Sequence, residues 1–353
     1  MENHSHSTDA PTLTPHPHPP LQGAPALAGA SRSGGVSHAT RNPASTPQGE
    51  RGQTKPILCV GACAWTTIFR VAHLPQGSAK IIPDAAIQIG DGMSASAACA
   101  IVKLGGRAEF WARVGDDANG RAAIASLTEA GLDCSNVHYV TGAKGSFCSV
   151  VIDSEGERIV IPRHDPALPD DASWLPLERI ARGDFSAVLT EVRWPEGAAA
   201  VLDAARAAGI PAILDAEVGA TGVLADLAKH ATHVLYSETG LAAHVGDADV
   251  RTQLERAQTA LPHGFVGVTR GAEGFFWLEL NSGHMQHATG VSVSAVDTLG
   301  AGDVFHGAYA LALVEGMSPH EAARFACVAA SLKCAIFGGR IGAPDRAAVA
   351  PYL

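Results

Sequence analysis

The chain has 353 residues, 46% of them hydrophobic and 17% charged, with 38 glycines and 21 prolines, which excludes a wholly disordered or coiled-coil protein. Lysine and arginine number 25 against 35 aspartates and glutamates, and the resulting net charge of −10 disfavours nucleic acid as a partner. Apolar runs stop well short of the roughly 20 residues that cross a bilayer, so we expect a soluble protein without membrane contact.

Residues 1–55 are rich in Pro, Ser, Thr, Gly and His and have almost no aliphatic run. Such a segment cannot bury enough apolar surface to offset the entropy of ordering, so we expect a disordered tail. The composition changes at Pro56, and residues 56–353 are predicted to form one folded domain. Seven cysteines are scattered along the chain without a Cys-x-x-Cys pair, which favours a reducing, cytoplasmic location and suggests no metal site built on cysteine.

Short apolar strands alternate with Ala-rich helical stretches through most of the folded part. Strands are expected near 57–61, 187–190, 212–214, 234–236 and 264–269, with helices near 197–208, 223–230 and 249–260. This alternation predicts an α/β fold in which helices cover both faces of a mainly parallel sheet. Two stretches, about 66–90 and 145–162, have strands without intervening helices. We expect them to form a small sheet that covers the site as a lid; an edge extension of the main sheet is the alternative.

The most informative segment is Asp-Thr-Leu-Gly-Ala-Gly-Asp at 297–303, which opens an apolar helix. Its small residues permit a tight turn with converging backbone N–H groups, and the helix start adds the positive end of its dipole. We therefore expect the amides of Gly300, Ala301 and Gly302 to form an anion hole. Asp303 can accept a proton from a hydroxyl there, while the amides hold the charge on a transferring phosphoryl group.

This motif, about fifty residues before the end of the chain, resembles the second signature of the PfkB/ribokinase family of sugar kinases. The resemblance extends over nearly everything after the tail. It implies a three-layer α/β/α fold with a β-sheet lid, and transfer of the γ-phosphoryl group of ATP to a primary sugar hydroxyl, with Mg²⁺ on the nucleotide. It also implies a homodimer formed through the lids, and K⁺ near Asp297, where relatives bind it.

The same resemblance assigns nucleotide-binding residues. Thr-Arg-Gly-Ala-Glu-Gly at 269–274 follows a predicted strand and is similar to the family's nucleotide-binding turn. Thr269 and Gly271 are thereby expected near the ATP phosphates, with Gly274 shaping the turn and Thr298 beside them. The family's magnesium motif, Asn-x-x-Glu, is altered here, because residues 237–240 read Ser-Glu-Thr-Gly. Glu238 remains a candidate that acts on the metal through water.

Two departures from the family affect the sugar side. Gly-Asp-Gly at 90–92 stands where the family has a Gly-Gly pair, and Ser96 takes the place of its Asn or Thr; Asp91, Gly92 and Ser96 are the candidate sugar-binding residues. An aspartate that usually follows the first strand is absent, since residues 63–67 read Cys-Ala-Trp-Thr-Thr. Thr66 is the candidate on that segment. Asp91 could supply the missing carboxylate to a sugar diol.

Segments at 191–194, 236–241, 331–334 and 338–345 look similar to one subgroup, the sulfofructose kinases. The sulfonate-binding lysine of its first lid strand maps to Lys80 and the arginine of its Val-Arg-Trp piece to Arg193, whereas its asparagine reads Thr141. A lysine and an arginine beside the sugar favour an anionic substituent. The best candidate substrate is therefore 6-deoxy-6-sulfofructose. The alternatives are a ketohexokinase, a sugar-phosphate kinase, a nucleoside kinase and a non-catalytic sugar-binding sensor.

Overall fold

The computed structural model describes residues 55–280 and 282–353, so the predicted tail lies outside it apart from Lys55. Within these residues the strands are β1 (Ile57–Val60), β2 (Ala64–Arg70), β3 (Ala85–Asp91), β4 (Ala108–Trp111), β5 (Arg113–Gly115), β6 (His138–Val140), β7 (Phe147–Ile152), β8 (Arg158–Arg163), β9 (Ala187–Glu191), β10 (Ala212–Ala216), β11 (His233–Ser237), β12 (Phe265–Thr269), β13 (Phe275–Leu278) and β14 (Met285–Ala288). The helices are α1 (Met93–Lys103), α2 (Ala118–Glu129), α3 (Glu178–Ala181), α4 (Pro195–Ala207), α5 (Val223–Ala228), α6 (Glu238–Val245), α7 (Val250–Ala260), α8 (Ala301–Val314), α9 (Pro319–Cys334) and α10 (Arg346–Val349).

The central sheet has eight strands in the order β14-β13-β12-β11-β10-β9-β1-β4. The six strands from β12 to β4 run parallel, and β13 and β14 add an antiparallel edge. The parallel strands are almost entirely buried because both faces of the sheet are covered, and this explains why their sequences read as continuous apolar runs. The predicted mainly parallel α/β sheet is confirmed.

Alternate side chains of the strands build two separate cores. Ile57 and Cys59 of β1 belong to the core beneath α1, α2, α8 and α9, whereas Leu58 and Val60 belong to the core beneath α3 to α7. The period-two alternation of a strand thus divides one apolar run between two layers of helices. This is the three-layer α/β/α arrangement that the resemblance implied.

A second sheet of four strands, ordered β3-β2-β7-β8, stands apart from the central sheet. It is built from the two stretches that carry strands without intervening helices. Its apolar cluster of Ile68, Ile89, Val150 and Ile152 packs against Leu299 and Phe337. Since Leu299 lies in the loop before α8, this sheet rests directly on the segment that the sequence analysis singled out.

Local sequence explains where several helices begin. Asp249 caps α7 by accepting the Thr252 amide, and Ser318 and Glu321 form a capping box at the start of α9. No helix among the described residues is both long and apolar enough to cross a membrane.

Candidate active site

The parallel strands of the central sheet end at a common edge, and polar residues collect there. Glu191 ends β9, Asp215 lies next to the end of β10, and Thr269 ends β12. The carboxyl edge of a parallel sheet is the usual place for a ligand in this class of fold, because the loops diverge there. The start of α8, with Asp303 in its first turn, lies close to this edge.

The start of α8 has the geometry of an anion hole. Gly300 caps the helix in the left-handed conformation, with φ of 76°. The Ala301 amide makes a 3.3 Å bond to the Thr298 carbonyl, so it is partly engaged. Gly302 has open space beside it, since no heavy atom lies within 4 Å of an ideal Cβ at that position. First-turn amides and the helix dipole therefore face room for an anion.

A cavity of about 670 Å³ opens from this helix start. Its lining includes all four residues predicted to bind the nucleotide, namely Thr269, Gly271, Gly274 and Thr298, and also Ala301 and Gly302. A cavity of this size falls within the range of small-molecule and cofactor sites. The structure thus brings the predicted nucleotide residues and part of the anion hole to one place.

The turn after β12 needs its second glycine for a steric reason. Gly274 has φ of 97°, and an ideal Cβ there would lie 2.2 Å from the Ala288 carbonyl oxygen. Thr269 donates from its hydroxyl to the Tyr236 carbonyl at 3.2 Å, which joins the turn to β11. The backbone of this turn can therefore approach a ligand closely.

Asp303 lies among four other carboxyl groups. Burial raises its pKa well above the usual value, and the charges of Asp215, Asp91, Glu191 and Glu217 add to the effect. A carboxylate with a raised pKa is a stronger base, so the neighbours favour proton transfer from a hydroxyl to Asp303. Asp91, a predicted sugar-binding residue, belongs to this group.

Among these neighbours, the charge of Asp215 has the largest effect on the pKa of Asp303. Asp215 also contacts a histidine of α8. Asp215 Oδ2 lies 3.3 Å from His306 Nδ1, and His306 Nε2 donates to the Leu235 carbonyl at 3.2 Å. Burial raises the pKa of Asp215 well above its usual range and lowers that of His306 to about 4. With a pKa of about 4 the His306 ring is uncharged at neutral pH, so this contact is not an ion pair.

Glu191 is fully buried and organises the turn that follows β9. Its Oε1 accepts the Ala62 amide at 2.7 Å, and its Oε2 accepts the Arg193 amide. Burial raises the pKa of Glu191, while the two amides oppose the rise. Glu191 therefore positions the backbone of Arg193.

The predicted sugar-binding residues around β3 separate into half-buried and buried ones. Asp91 is half-buried and accepts the Ser96 hydroxyl at 2.5 Å, whereas Ser96 itself is 0% exposed. Thr66 is also buried, at 2% exposure. Gly92 caps α1 so tightly that an ideal Cβ would lie 2.3 Å from the Ala62 carbonyl oxygen. In this conformation Ser96 and Thr66 offer almost no surface to a substrate, and Ser96 instead orients Asp91.

Lys80 and Arg193, the two side chains predicted to bind an anion, lie in different parts of the fold. Lys80 lies in the exposed loop between β2 and β3, not on a lid strand as the resemblance implied. Arg193 follows β9, and its Nη1 donates to the Val218 carbonyl at 2.8 Å; its other guanidinium donors make no bond within the described ranges. Arg193 is thus available to a ligand at the carboxyl edge of the sheet.

Histidine and arginine side chains gather near Arg193. Partial desolvation lowers the pKa of His164, and the charges of Arg193, Arg113 and Arg163 lower it further. His164 Nδ1 lies 3.3 Å from the Ser146 hydroxyl. Arg113 is itself held by Asp170 at 3.1 Å and over the Trp194 ring. Three arginine charges therefore act on His164 at this end of the site, whereas carboxyl groups act on Asp303.

Glu238 is exposed and is engaged by Arg270 through one carboxylate oxygen. Its carboxylate accepts two bonds from Arg270, at 2.8 and 3.1 Å. Glu217 is better placed, because it contributes to the electrostatics of Asp303 and accepts bonds from the hydroxyls of Ser237 and Thr239 at 3.0 and 3.2 Å. Within 55–280 and 282–353 no group of three or more Asp, Glu, His or Cys side chains has the geometry to hold a metal ion directly. A metal here would need oxygen ligands from a bound nucleotide and water.

Sequence reasoning missed Glu191, Asp215, Glu217 and Arg158. The first three stand directly at or after the ends of apolar strands, a signal that could have found them. Arg158 of β8 donates to the Thr298 hydroxyl at 2.5 Å and lines the same cavity as the predicted nucleotide residues. Nothing in the sequence connects residues 158 and 298, because the contact arises only when the lid sheet packs on the α8 loop.

Comparison with known proteins agrees with this geometry. The curated ribokinase of Arabidopsis thaliana is 28% identical over 326 residues, which cover 89% of this chain and 84% of the relative. An ATP-dependent ribose-1-phosphate kinase of Halopiger xanaduensis is 28% identical over 303 residues, or 84% of this chain and 97% of the relative.

Solved structures show the same similarity. A protein of Agrobacterium tumefaciens described as a ribokinase candidate has a TM-score of 0.81 and 43% identity, covering 84% of this chain and 97% of its own. Arabidopsis thaliana ribokinase, solved with ribose and ATP, has a TM-score of 0.71 and 26% identity, covering 85% and 98%.

The family model described as pfkB family carbohydrate kinase matches residues 55–346. The match spans both the anion hole at the start of α8 and the turn after β12, and it confirms the family expected from the 297–303 motif. The chain belongs to the pfkB family of carbohydrate kinases and is an ATP-dependent sugar kinase that phosphorylates an alcohol group.

Proposed function

We propose that the protein phosphorylates a primary hydroxyl of a ketose-type sugar that carries an anionic group at its other end, with 6-deoxy-6-sulfofructose as the best candidate. One observation carries the proposal: the exposed guanidinium of Arg193 keeps donors that make no bond within the described residues, and its charge acts on His164 together with those of Arg113 and Arg163. Arginine offers a planar fork for the oxygens of a sulfonate or phosphate.

In this proposal the sugar lies between two regions of opposite charge. The reacting hydroxyl is next to Asp303, whose raised pKa suits it to accept the proton. The half-buried carboxylate of Asp91, fixed by Ser96, binds sugar hydroxyls, and Arg193 binds the anionic group. The amides of Gly302 and Ala301 hold charge on the transferring phosphoryl group, while the lid sheet excludes water.

A neutral pentose is the second candidate. Relatives named ribokinase match most of the chain, and a ribose substrate would leave the Arg193 donors without an anionic partner. Ketohexose, sugar phosphate and nucleoside substrates differ from 6-deoxy-6-sulfofructose in the charge or bulk that they bring to this end of the site.

Mg²⁺ would enter with ATP and neutralise phosphate charge. We propose that Glu217, rather than Glu238, orients the water around it. The altered motif supports this exchange, because an ideal Cβ at Gly240 would lie 2.1 Å from the Ala216 carbonyl oxygen and no carboxylate fits there. Glu217→Gln keeps the hydroxyl contacts and should raise the Mg²⁺ concentration needed for half-maximal rate.

We also propose a homodimer formed through the lid sheet. All six residues of edge strand β8 are exposed, including Ile159, Val160 and Ile161. An edge strand with free ladder positions and apolar side chains is suited to pair with a second copy. Sedimentation should therefore give a dimer that Ile161→Lys dissociates, and a monomeric wild type would refute this part of the proposal.

The experiment that tests the substrate is coupled ADP release with Mg–ATP over 6-deoxy-6-sulfofructose, fructose, fructose 6-phosphate, ribose and adenosine. We expect 6-deoxy-6-sulfofructose to have the highest kcat/KM. Arg193→Ala should reduce that value by about 10- to 100-fold, mostly through KM, because a hydrogen bond to a charged group is worth about 1.5–3 kcal/mol. The rates for neutral sugars should change little.

Arg206→Ala is a matched control, since Arg206 also donates from Nη1 to one backbone carbonyl, of Lys229, at 2.8 Å. This variant should leave the substrate preference unchanged. A preference for ribose, fructose or adenosine that survives Arg193→Ala would refute the anionic substrate and leave the kinase assignment intact.

A further inference from the structure

Helix α9 carries a lysine that has no contact with solvent. Lys333 is 0% exposed, and so is Asp297, the first residue of the motif before α8. The Lys333 ammonium donates to the backbone carbonyl oxygen of Asp297 and lies 3.2 Å from its Oδ2. A charge this deeply buried is tolerated only when it is paired and hydrogen-bonded.

Both oxygens of the Asp297 carboxylate also accept backbone hydrogen bonds. Asp297 Oδ1 accepts the Leu299 amide at 2.7 Å, and Oδ2 accepts the amides of Gly338 and Gly339, each at 2.8 Å. The Asp297 amide in turn donates to the Cys334 carbonyl at 3.1 Å. These bonds fasten the segment before α8 to the end of α9 and to the turn that follows it.

This fastened segment leads straight into the anion hole. Leu299 is followed by Gly300, whose left-handed conformation begins α8, and the amides of Ala301 and Gly302 come next. A shift of the Asp297 backbone would therefore be transmitted to the amides that face the nucleotide cavity. Small displacements of such groups lower rates substantially, because the amides must meet the developing charge.

The residues around Asp297 do not fit the K⁺ that the family resemblance implies there. A K⁺ ion near Asp297 would use the carbonyl and carboxylate oxygens as ligands, and the Lys333 ammonium already contacts both. Two cations on the same pair of oxygens would repel each other strongly in a region closed to water.

We propose that the Lys333 ammonium serves as a built-in monovalent cation that positions the anion hole, so that phosphoryl transfer in this protein is independent of K⁺. Lys333 is a positioning residue, since it acts through Asp297 and touches neither sugar nor nucleotide. The inference depends on the kinase activity of the chain and not on which sugar is used.

The test compares wild type, Lys333→Ala, Lys333→Met and Lys103→Ala in KCl and in tetramethylammonium chloride at equal ionic strength. ADP release is measured with whichever sugar of the panel gives turnover. The thermal unfolding midpoint is measured without sugar. If none of the sugars were a substrate, only the ADP-release measurement would be lost. Lys103 is a suitable control because it bonds the carbonyls of Ile341 and Ala343, close to the same turn, from an exposed position.

We expect the wild-type rate to differ by less than about twofold between the two salts. Lys333→Ala should lose about 10- to 100-fold in tetramethylammonium chloride, and KCl should restore the rate and raise the unfolding midpoint in a saturable way. Lys333→Met should lose as much without being restored, because its side chain fills the space. Lys103→Ala should not respond to K⁺.

Three results would overturn the proposal. One is a wild-type rate that KCl raises tenfold or more, which is decisive even if the Lys333 variants do not fold. Another is a folded Lys333→Ala that works fully in tetramethylammonium chloride. The third is a folded but impaired Lys333→Ala that neither KCl nor NH₄Cl restores.

Discussion

The proposed nucleotide side and the proposed sugar side of the site differ in how they are built. The first depends on backbone: the open Gly302 and the constrained turn at Gly274 line one cavity, and the left-handed Gly300 begins the helix beside it. The sugar side consists of side chains, such as Asp91 and Arg193, which come from distant elements and are held by other side chains or by carbonyls.

This difference affects how each side responds to change. A backbone site tolerates few residue types, because a methyl group at the wrong place blocks the ligand or the turn. A side-chain site can supply a functional group from a different position, as we propose for Glu217 beside a Gly240 that has no room for a carboxylate. The two sides should therefore differ in how their activity responds to substitution.

The largest effect is expected where the two sides meet, at Asp303. Asp303→Asn removes the base and should lower kcat by about 10²- to 10⁴-fold while leaving sugar affinity nearly unchanged. Because the raised pKa means that the fold disfavours the ionised carboxyl at neutral pH, the unfolding midpoint should stay equal or rise. Normal turnover in a folded variant would contradict the role of Asp303.

On the proposed nucleotide side, Gly302→Ala should lower activity without lowering stability. An ideal Cβ at residue 302 meets no atom within 4 Å, and alanine suits a helix better than glycine by about 1 kcal/mol, so the fold should not weaken. The methyl group nevertheless enters the space for a phosphoryl group, and kcat/KM for ATP should fall about tenfold or more.

Gly307→Ala on the same helix is the contrasting control. Its Cβ would lie 2.3 Å from the Ala97 carbonyl oxygen, so this variant should lose stability instead. If Gly302→Ala were fully active, the space beside Gly302 would not be the phosphoryl position.

A smaller effect is expected for Arg158, whose side chain lines the proposed nucleotide cavity. Arg158→Ala removes the lid contact with Thr298 and should raise KM for ATP by about two- to fivefold, because exposed charged contacts contribute little. KM for the sugar should not change. Steady-state kinetics with each substrate varied in turn will measure both, and an unchanged KM for ATP would place Arg158 outside the nucleotide site.

The same contrast explains what the sequence could predict. The α/β fold followed from apolar strands separated by helices, and the short glycine motifs at 269–274 and 297–303 singled out residues that line one cavity. Thr66 and Ser96 were expected to bind sugar, but their burial depends on how β2, β3 and α1 pack. The contacts of Arg158 with Thr298 and of Lys333 with Asp297 join residues 140 and 36 positions apart, so local patterns could not reveal them.

The central claim is that Asp303 is the base and that the neighbouring carboxyl groups set its pKa. The measurement that tests it most directly is the pH dependence of kcat for wild type and Asp215→Asn. The account predicts a wild-type acid limb above the usual pKa of an aspartate, since activity is lost as pH falls through the raised pKa of Asp303. Removing the Asp215 charge lowers that pKa, so the acid limb should move to lower pH. An active Asp215→Asn variant with an unshifted acid limb would contradict the claim.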